Sequence, residues 1–361
     1  MIERRSGNLL DAGTDALVNT VNCVGVMGRG VALQFKLAFP ANYREYQRAC
    51  KVGTVEPGRM LVTSTGQLVN PRFIINFPTK RHWKGKSRIE DIEAGLPALL
   101  DEVKRLNIAS IAVPPLGCGN GGLDWPQVRR LIEAAFKEMP HVRVLLYEPA
   151  GVPGAESMAV ATPRPRMTRG RALLLHLLDC YRVPDYRLSR LEVQKLAYFL
   201  QAAGEPLKLD YRRHIYGPYA ENLNHVLQAM EGHFIRGYGD RGQREAQIHP
   251  LPDALREAQD FLAASDEAKV RLQRISALIE SFDNPSGMEL LASVHWVATH
   301  DLVAAVDRDR AVVLVQAWSD RKRALFKRAQ IYRAWQRLHE FGWLSPSGPH
   351  PSPLNPPGVS P

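Results

Sequence analysis

Residues 15–39 read DALVNTVNCVGVMGRGVALQFKLAF, and the order of elements in that run decides the fold. DALVNTVN (15–22) is short, β-branched and bounded by turn residues, the pattern of a buried strand. Gly25, Gly28 and Gly30 follow and lead into GVALQFKLAF (30–39), which carries helical spacing. Glycines at a strand-to-helix junction let backbone N–H groups approach phosphate oxygens, and the helix start adds positive potential. Arg29 adds charge there. An ordinary glycine-rich turn accounts for the same pattern, so this loop alone identifies no ligand.

The alternation continues. FIINF (73–77), IASIAVPPL (108–116) and VRVLLYE (142–148) read as strands; ANYREYQRAC (41–50), IEDIEAGLPALLDEVKRLN (89–107) and PQVRRLIEAAFKEM (126–139) read as helices. Strands alternating with helices predict an α/β domain with a mixed, largely parallel sheet between helical layers. Ligands of such sheets bind in the crevice beyond the carboxyl ends of the strands. Two more strand ends carry unusual loops. VPPLGCGNGGLDW (113–125) packs Gly117, Gly119, Gly121 and Gly122 into a few residues, an entropic cost that wrapping closely around a ligand explains and a flexible hinge also explains. Two such loops on neighbouring strand ends fit a ligand with two phosphates. PTKRHWKGKS (78–87) sets Lys80 at the head of a cationic run with Arg81, Lys84 and Lys86. A lysine acts as nucleophile or base when burial or neighbouring cations lower its pKa; otherwise such a loop is a solvated surface.

At 361 residues the chain exceeds one hydrophobic core. A Pro/Gly/Ala-rich stretch from Glu148 to Arg171 reads as a linker, and a Pro/Ser/Gly-rich tail from Ser345 as disordered. The expected division is 1–150, a linker 151–167, a mainly α-helical domain 168–343 and a tail 344–361. In the helical half, HIYGPYAEN inserts a Gly-Pro turn between helices, and PDALREAQDFLAASDEAKVRLQRISALIESF (252–282) reads as one helical stretch. Four cysteines at 23, 50, 118 and 180 have neither zinc-ligand nor disulfide-framework spacing, so no metal or cofactor is expected. The net charge of +10 favours polyanions such as nucleic acid. No apolar run approaches the roughly 20 residues of a membrane span, and the charged start MIERR does not read as a signal peptide. A cytoplasmic protein is expected.

GNLLDAGTDALVNTVNCVGVMGRGVALQF, FPTKRHWKGKSR and PPLGCGNGGLDW together, in this order, resemble the macrodomain fold over residues 1–150. Within it they resemble the DarG-type antitoxins, which are similar to the terminal ADP-ribose protein glycohydrolase subclass. That resemblance implies removal of ADP-ribose from thymidine bases of single-stranded DNA, reversing a DarT-like toxin. It implies that Asn8 and Leu9 meet the adenine and that Thr20, Val21 and Asn22 end the first core strand, Asn22 toward the distal ribose. Gly28, Gly30, Val31, Ala32, Leu33 and Gln34 then form the first phosphate loop and helix start. Thr79 and Lys80 flank the distal ribose, and Gly117, Cys118, Gly119, Asn120 and Gly121 wrap the diphosphate.

Lys80 matches the catalytic lysine of the subclass, with Asn22 assisting. The acidic residue that protein-directed relatives carry after GCG is missing, and Asp124 comes a few positions late. Arg81, Trp83, Lys84 and Lys86 mix cations with an aromatic, as single-strand DNA binders do. EVQKLAYFLQAAGEPLKLDYRRHIYGPYAENL (192–223) resembles the SocA-related Panacea antitoxin domains, which implies that residues 168–343 hold the toxin directly. Tyr216, Tyr219 and Trp335 are candidate anchors, although aromatic residues at helical spacing are more often core. A protein-directed ADP-ribosyl ester hydrolase and a non-catalytic ADP-ribose reader are the alternatives.

Overall fold

The computed structural model describes residues 1–67, 69–149, 159–181, 188–238 and 248–344. The first half of the expected linker and the tail from 345 lie outside the described residues. Two compact units emerge, one of Met1–Arg164 and one that begins at Pro165.

The first unit holds β1 (Ile2–Arg5), β2 (Ala16–Asn22), α1 (Gly30–Ala38), α2 (Pro40–Val52), β3 (Leu61–Ser64) and β4 (Phe73–Lys80). It continues with α3 (Ile89–Arg105), β5 (Ser110–Val113), α4 (Trp125–Phe136) and β6 (Arg143–Tyr147). The sheet order is β1-β6-β5-β2-β4-β3; every pair is parallel except β3 with β4. Side chains alternate across each strand. Ala16, Val18, Ile75 and Phe77 face Ile92, Leu96 and Leu99 of α3 and Val128 and Ile132 of α4. Leu17, Ile74 and Ala112 face the opposite way, onto Leu9 and Phe35. Two layers of helices therefore sandwich the sheet, as expected.

Two strands were not anticipated. β1 (IERR) and β3 (LVTS) lie at the sheet edges, where partial exposure lets charged and small polar residues stand in a strand.

A ladder of buried asparagines crosses the β2–β4 pair. Asn19 Nδ2 donates to Asn76 Oδ1 at 2.9 Å across the β2–β4 pair. Asn76 Nδ2 in turn donates to Asn42 Oδ1 of α2 at 2.7 Å and to the Leu61 carbonyl of β3 at 3.1 Å. All three asparagines are buried, so the ladder fastens α2 and β3 to the central strands.

In the second unit lie α5 (Arg169–Cys180), α6 (Arg190–Ala202), β7 (Tyr211–His214), β8 (Gly217–Ala220), α7 (Leu223–Met230), β9 (Ile235–Arg236) and β10 (His249–Pro250). There follow α8 (Pro252–Leu262), α9 (Asp266–Ile279), α10 (Pro285–His300), α11 (Leu302–Val306), α12 (Arg308–Gln316), α13 (Asp320–Leu325) and α14 (Arg328–Glu340). The unit is mainly helical around α10, which is buried from Met288 to Ala298. Ser189 and Glu192 form a reciprocal capping box that starts α6.

Two sequence expectations are corrected here. The 252–282 stretch breaks into α8 and α9, because Ser265 caps a new helix by accepting from Ala268 N. The Gly-Pro pair sits in β8 rather than in a turn, and the hairpin turns at Ile215–Tyr216 instead. A Cβ on Gly217, whose φ is +92°, would come within 2.9 Å of Ser293 Oγ, which explains the glycine.

Candidate functional site

β5, β2 and β4 are neighbours running parallel, so the loops after all three leave the same edge of the sheet. Sequence spacing anticipated this convergence. Two side-chain hydrogen bonds that link the loops were not legible in that spacing.

Lys80 ends β4 and is half-buried. Its Nζ donates to the Asn120 carbonyl at 2.6 Å, joining the strand end to the second glycine loop. On the other side, Cys23 Sγ meets the Lys80 carbonyl at 3.4 Å, and a register shift in the β2–β4 pair sets Asn22 opposite Lys80. Lys80 thus stands between the first and second glycine-rich loops. Thr79, immediately before it, is buried.

Asn22 is buried, and its side chain is spent on the loop that follows it. Oδ1 accepts from Val24 N at 3.0 Å and Val26 N at 3.3 Å, while Nδ2 donates to the Val26 carbonyl at 2.5 Å. In this arrangement the side chain clamps residues 23–27. Tyr46 of α2, which sequence reasoning missed, supports the clamp. Its fully buried hydroxyl donates to the Asn22 carbonyl at 2.6 Å and lies 3.1 Å from Oδ1. Burial holds that phenol far above its usual range, so it serves as a hydrogen-bond donor at any working pH. Spacing could have hinted at it only through Asn42 and Tyr46, one turn apart on α2, both facing inward.

The first loop reaches α1 through Gly28, Arg29 and Gly30, with Gly30 at φ +60°. Arg29 occupies the N-cap without a side-chain bond, leaving the first-turn N–H groups of α1 uncapped by it. Leu33 and Gln34 are buried; Val31 and Ala32 are half-buried. In the second loop Gly117 takes φ +70°, a left-handed conformation that other residues rarely adopt. Leu123 N closes back on the Gly117 carbonyl at 3.2 Å and Gly122 N on Gly119 O at 3.1 Å, making a compact turn with Asn120 at its exposed tip. Asp124 caps α4 by accepting from Gln127 N at 3.3 Å. At the far end of β1, Asn8 caps a single 3-10 turn over Leu9–Asp11, and Leu9 is buried in the sheet's second core face.

The basic loop after β4 exposes Arg81, Trp83, Lys84 and Lys86. Trp83 has His82 beside its ring, 5.6 Å between centroids, and the Lys84 ammonium 4.9 Å from its centroid. Arg81 is anchored by an ion pair with buried Asp91 of α3 at 3.1 Å. The two cysteines near the loops are poor nucleophiles. Burial pushes the Cys23 thiol up to about 11; burial and then the nearby Asp124 charge push Cys118 to about 12. Among the described residues no group of three or more His, Cys, Asp or Glu side chains is placed to hold a metal ion.

The residues expected in the second unit are also placed. Tyr216 is exposed at the hairpin turn, under the Arg321 guanidinium at 4.6 Å. Tyr219 accepts from Asn224 Nδ2 at 2.9 Å, and Trp335 Nε1 donates to the Ala304 carbonyl at 2.8 Å; both are half-buried. No helix among the described residues is long and apolar enough to cross a membrane.

The chain is similar to known proteins over this region and beyond it. The Macro domain family model matches residues 18–132. A Thermus aquaticus protein named DNA ADP-ribosyl glycohydrolase is 48% identical over 340 residues, 94% of this chain and 93% of its own. A Thermosipho africanus protein named DNA ADP-ribosyl transferase-DNA ADP-ribosyl glycohydrolase fusion protein is 38% identical over 141 residues, 35% of this chain and 36% of its own. Among solved structures, the macrodomain of Mycobacterium tuberculosis DarG is 55% identical, covering 42% of this chain and 99% of that one, with a TM-score of 0.41.

Proposed function

Because the chain belongs to the DNA ADP-ribosyl glycohydrolase family, we propose that its first unit hydrolyses ADP-ribose off thymidine bases of single-stranded DNA. The observation that carries this reading is the Lys80 Nζ donating to the Asn120 carbonyl, which brings an amine between two glycine-rich loops. In the proposed complex the loops 28–34 and 117–121 receive the diphosphate through backbone N–H groups. Asn8 and Leu9 lie toward the adenine, and Thr20, Val21, Asn22 and Thr79 toward the distal ribose. Arg81, Trp83, Lys84 and Lys86 take the flanking phosphates and bases of the strand.

The proposed chemistry follows from what the bond needs. Breaking the link between C1″ and the thymine nitrogen develops oxocarbenium-like charge on the sugar and leaves its electron pair on the base. Lys80, as an ammonium, gives that nitrogen a proton. A water oxygen bonds to C1″, and the proton that the water sheds returns to Lys80. Asn22 contributes by holding the 23–27 loop against the sugar. Asp124, engaged as a helix cap, takes no part.

The second unit, by the same proposal, binds the cognate DarT-like toxin directly, so that the protein both reverses and restrains its partner as an antitoxin. The family's fused transferase and glycohydrolase supports a transferase partner.

Single-turnover release of ADP-ribose from modified oligonucleotide and modified protein, side by side, tests the enzymatic reading. Release should be faster from DNA, and Lys80→Ala should abolish it while retaining ADP-ribose binding. Unchanged turnover in that variant removes Lys80 from the mechanism. Faster release from protein favours the ester hydrolase instead.

A further inference from the structure

We propose that Ser87 is a positioning residue that closes the second glycine loop on its ligand, an inference that rests on the ADP-ribose crevice proposed above. The basic loop and the glycine loop are fastened to each other at both ends of the basic loop. Lys80 Nζ binds the Asn120 carbonyl at 2.6 Å, and Ser87 N donates to the Gly121 carbonyl at 3.1 Å. Lys86 adds a third approach, with its Nζ 3.2 Å from where a Cβ on Gly122 would lie.

The Ser87 hydroxyl does not share in this fastening. It is buried, with the residue only 7% exposed, and Oγ has no hydrogen-bond partner among the described residues. A buried hydroxyl left unpaired lowers stability and calls for a reason. Its surroundings supply one. A Cβ on Gly121 would stand 2.2 Å from Ser87 Oγ and 2.0 Å from the Gly117 carbonyl oxygen, so that donor and acceptor crowd the same point without bonding. Ser87 Oγ also lies 3.2 Å from where a Cβ on Gly117 would sit. The Gly117 carbonyl already receives Leu123 N and, like any carbonyl, has a second lone pair to offer.

As placed, the loop therefore stands one hydrogen bond short of what its groups can make. Backbone N–H groups of residues 119–121 turning onto a diphosphate shift the loop, and a small shift brings the Gly117 carbonyl within reach of Ser87 Oγ. Ligand binding is then reinforced by a bond that the present arrangement leaves unmade. The same serine, through its backbone, links that closure to the loop proposed to hold DNA.

The test uses the full chain and Ser87→Ala, with calorimetric titration of ADP-ribose and thermal unfolding without ligand. Removing an unpaired hydroxyl should leave the ligand-free Tm equal or higher. ADP-ribose affinity should nevertheless fall about three- to tenfold, the loss expected for one hydrogen bond, and Ser87→Cys, with its weaker donor, should recover part of it. A merely structural serine cannot move the two readings in opposite senses. Equal affinity in parent and variant, or an affinity loss that tracks a lower Tm, overturns the inference and leaves the crevice reading standing. Failure of the parent chain to bind ADP-ribose overturns both.

Discussion

Gly121→Ala tests the second glycine loop with a single methyl group. Gly121 does not have a positive φ, so alanine meets no conformational objection and the effect is one of space alone. The added Cβ would lie 2.0 Å from the Gly117 carbonyl oxygen, 2.8 Å from its carbon and 2.2 Å from Ser87 Oγ. A serine hydroxyl can rotate away; a backbone carbonyl cannot. Real Cβ contacts stay beyond 3.0 Å, so the loop must open by about 1 Å, and a displacement of that size can cost about 100-fold where geometry matters. Opening also threatens the Ser87 N to Gly121 bond and the Lys80 to Asn120 bond.

The expected result is a 10- to 100-fold weaker Kd for ADP-ribose, on the order of 1.4–2.7 kcal/mol. It comes with overpacking destabilisation of about 1–3 kcal/mol in the first unit. Calorimetric titration and urea unfolding measure the two. Gly85→Ala, where the nearest atom stands at 3.4 Å, serves as the benign control on the neighbouring loop. Binding within twofold of the parent, together with an unchanged unfolding midpoint, would refute the steric reasoning.

Three further outcomes are expected. Gly95→Ala, in α3, would drive a Cβ to 2.2 Å from Phe77 Cζ in β4, an overlap that outweighs the ~1 kcal/mol gain in helix propensity. Net destabilisation by ~1–3 kcal/mol should appear in urea melts, with partial rescue by adding Phe77→Leu. Tyr46→Phe keeps the buried ring but removes the donor to the Asn22 carbonyl. It should cost about 1–3 kcal/mol and lower kcat more than it raises KM; equal kcat would show that the clamp is idle in turnover. In the second unit, burial and then the neighbouring Lys322 charge hold the Lys195 amine down to about 7, from 10.5 in an unperturbed lysine. The unfolded chain binds the extra proton between those values, so stability should be lowest below pH 7 and rise toward pH 10.5. Lys195→Met should flatten that slope in thermal melts across the interval, and parallel profiles would contradict it.

The central strands were legible because burial on both faces leaves little but Ala, Leu, Val and Ile between the asparagines, and because glycines mark their ends. β1 was not, since an edge strand can be written IERR and still pair with β6. The Gly217–Pro218 pair looked like a turn, yet its glycine answers a steric demand from Ser293, a residue far along the chain. The site divides in the same way. Lys80 and the two glycine loops announce themselves by composition at predicted strand ends. Ser87 and Tyr46 do not, because a serine in a basic loop and a tyrosine on an amphipathic helix acquire meaning only from partners that folding brings near. Asn22 was singled out by position; its hold on residues 23–27 and its bond to Tyr46 were not legible there.

The buried asparagine ladder has a consequence for how the strands are indexed. Asn19 and Asn76 stand directly opposite in the parallel pair, and beyond them the register slips once, so that Asn22 meets Lys80 rather than Thr79. Sliding β2 by one residue would turn one asparagine toward the wrong face and leave a carboxamide alone among hydrocarbon, an error expensive enough to forbid it. The ladder therefore works as a keyway cut into the sheet, admitting one alignment of two otherwise interchangeable apolar strands. The lysine's address is set there, four residues upstream, in the buried interior of the sheet.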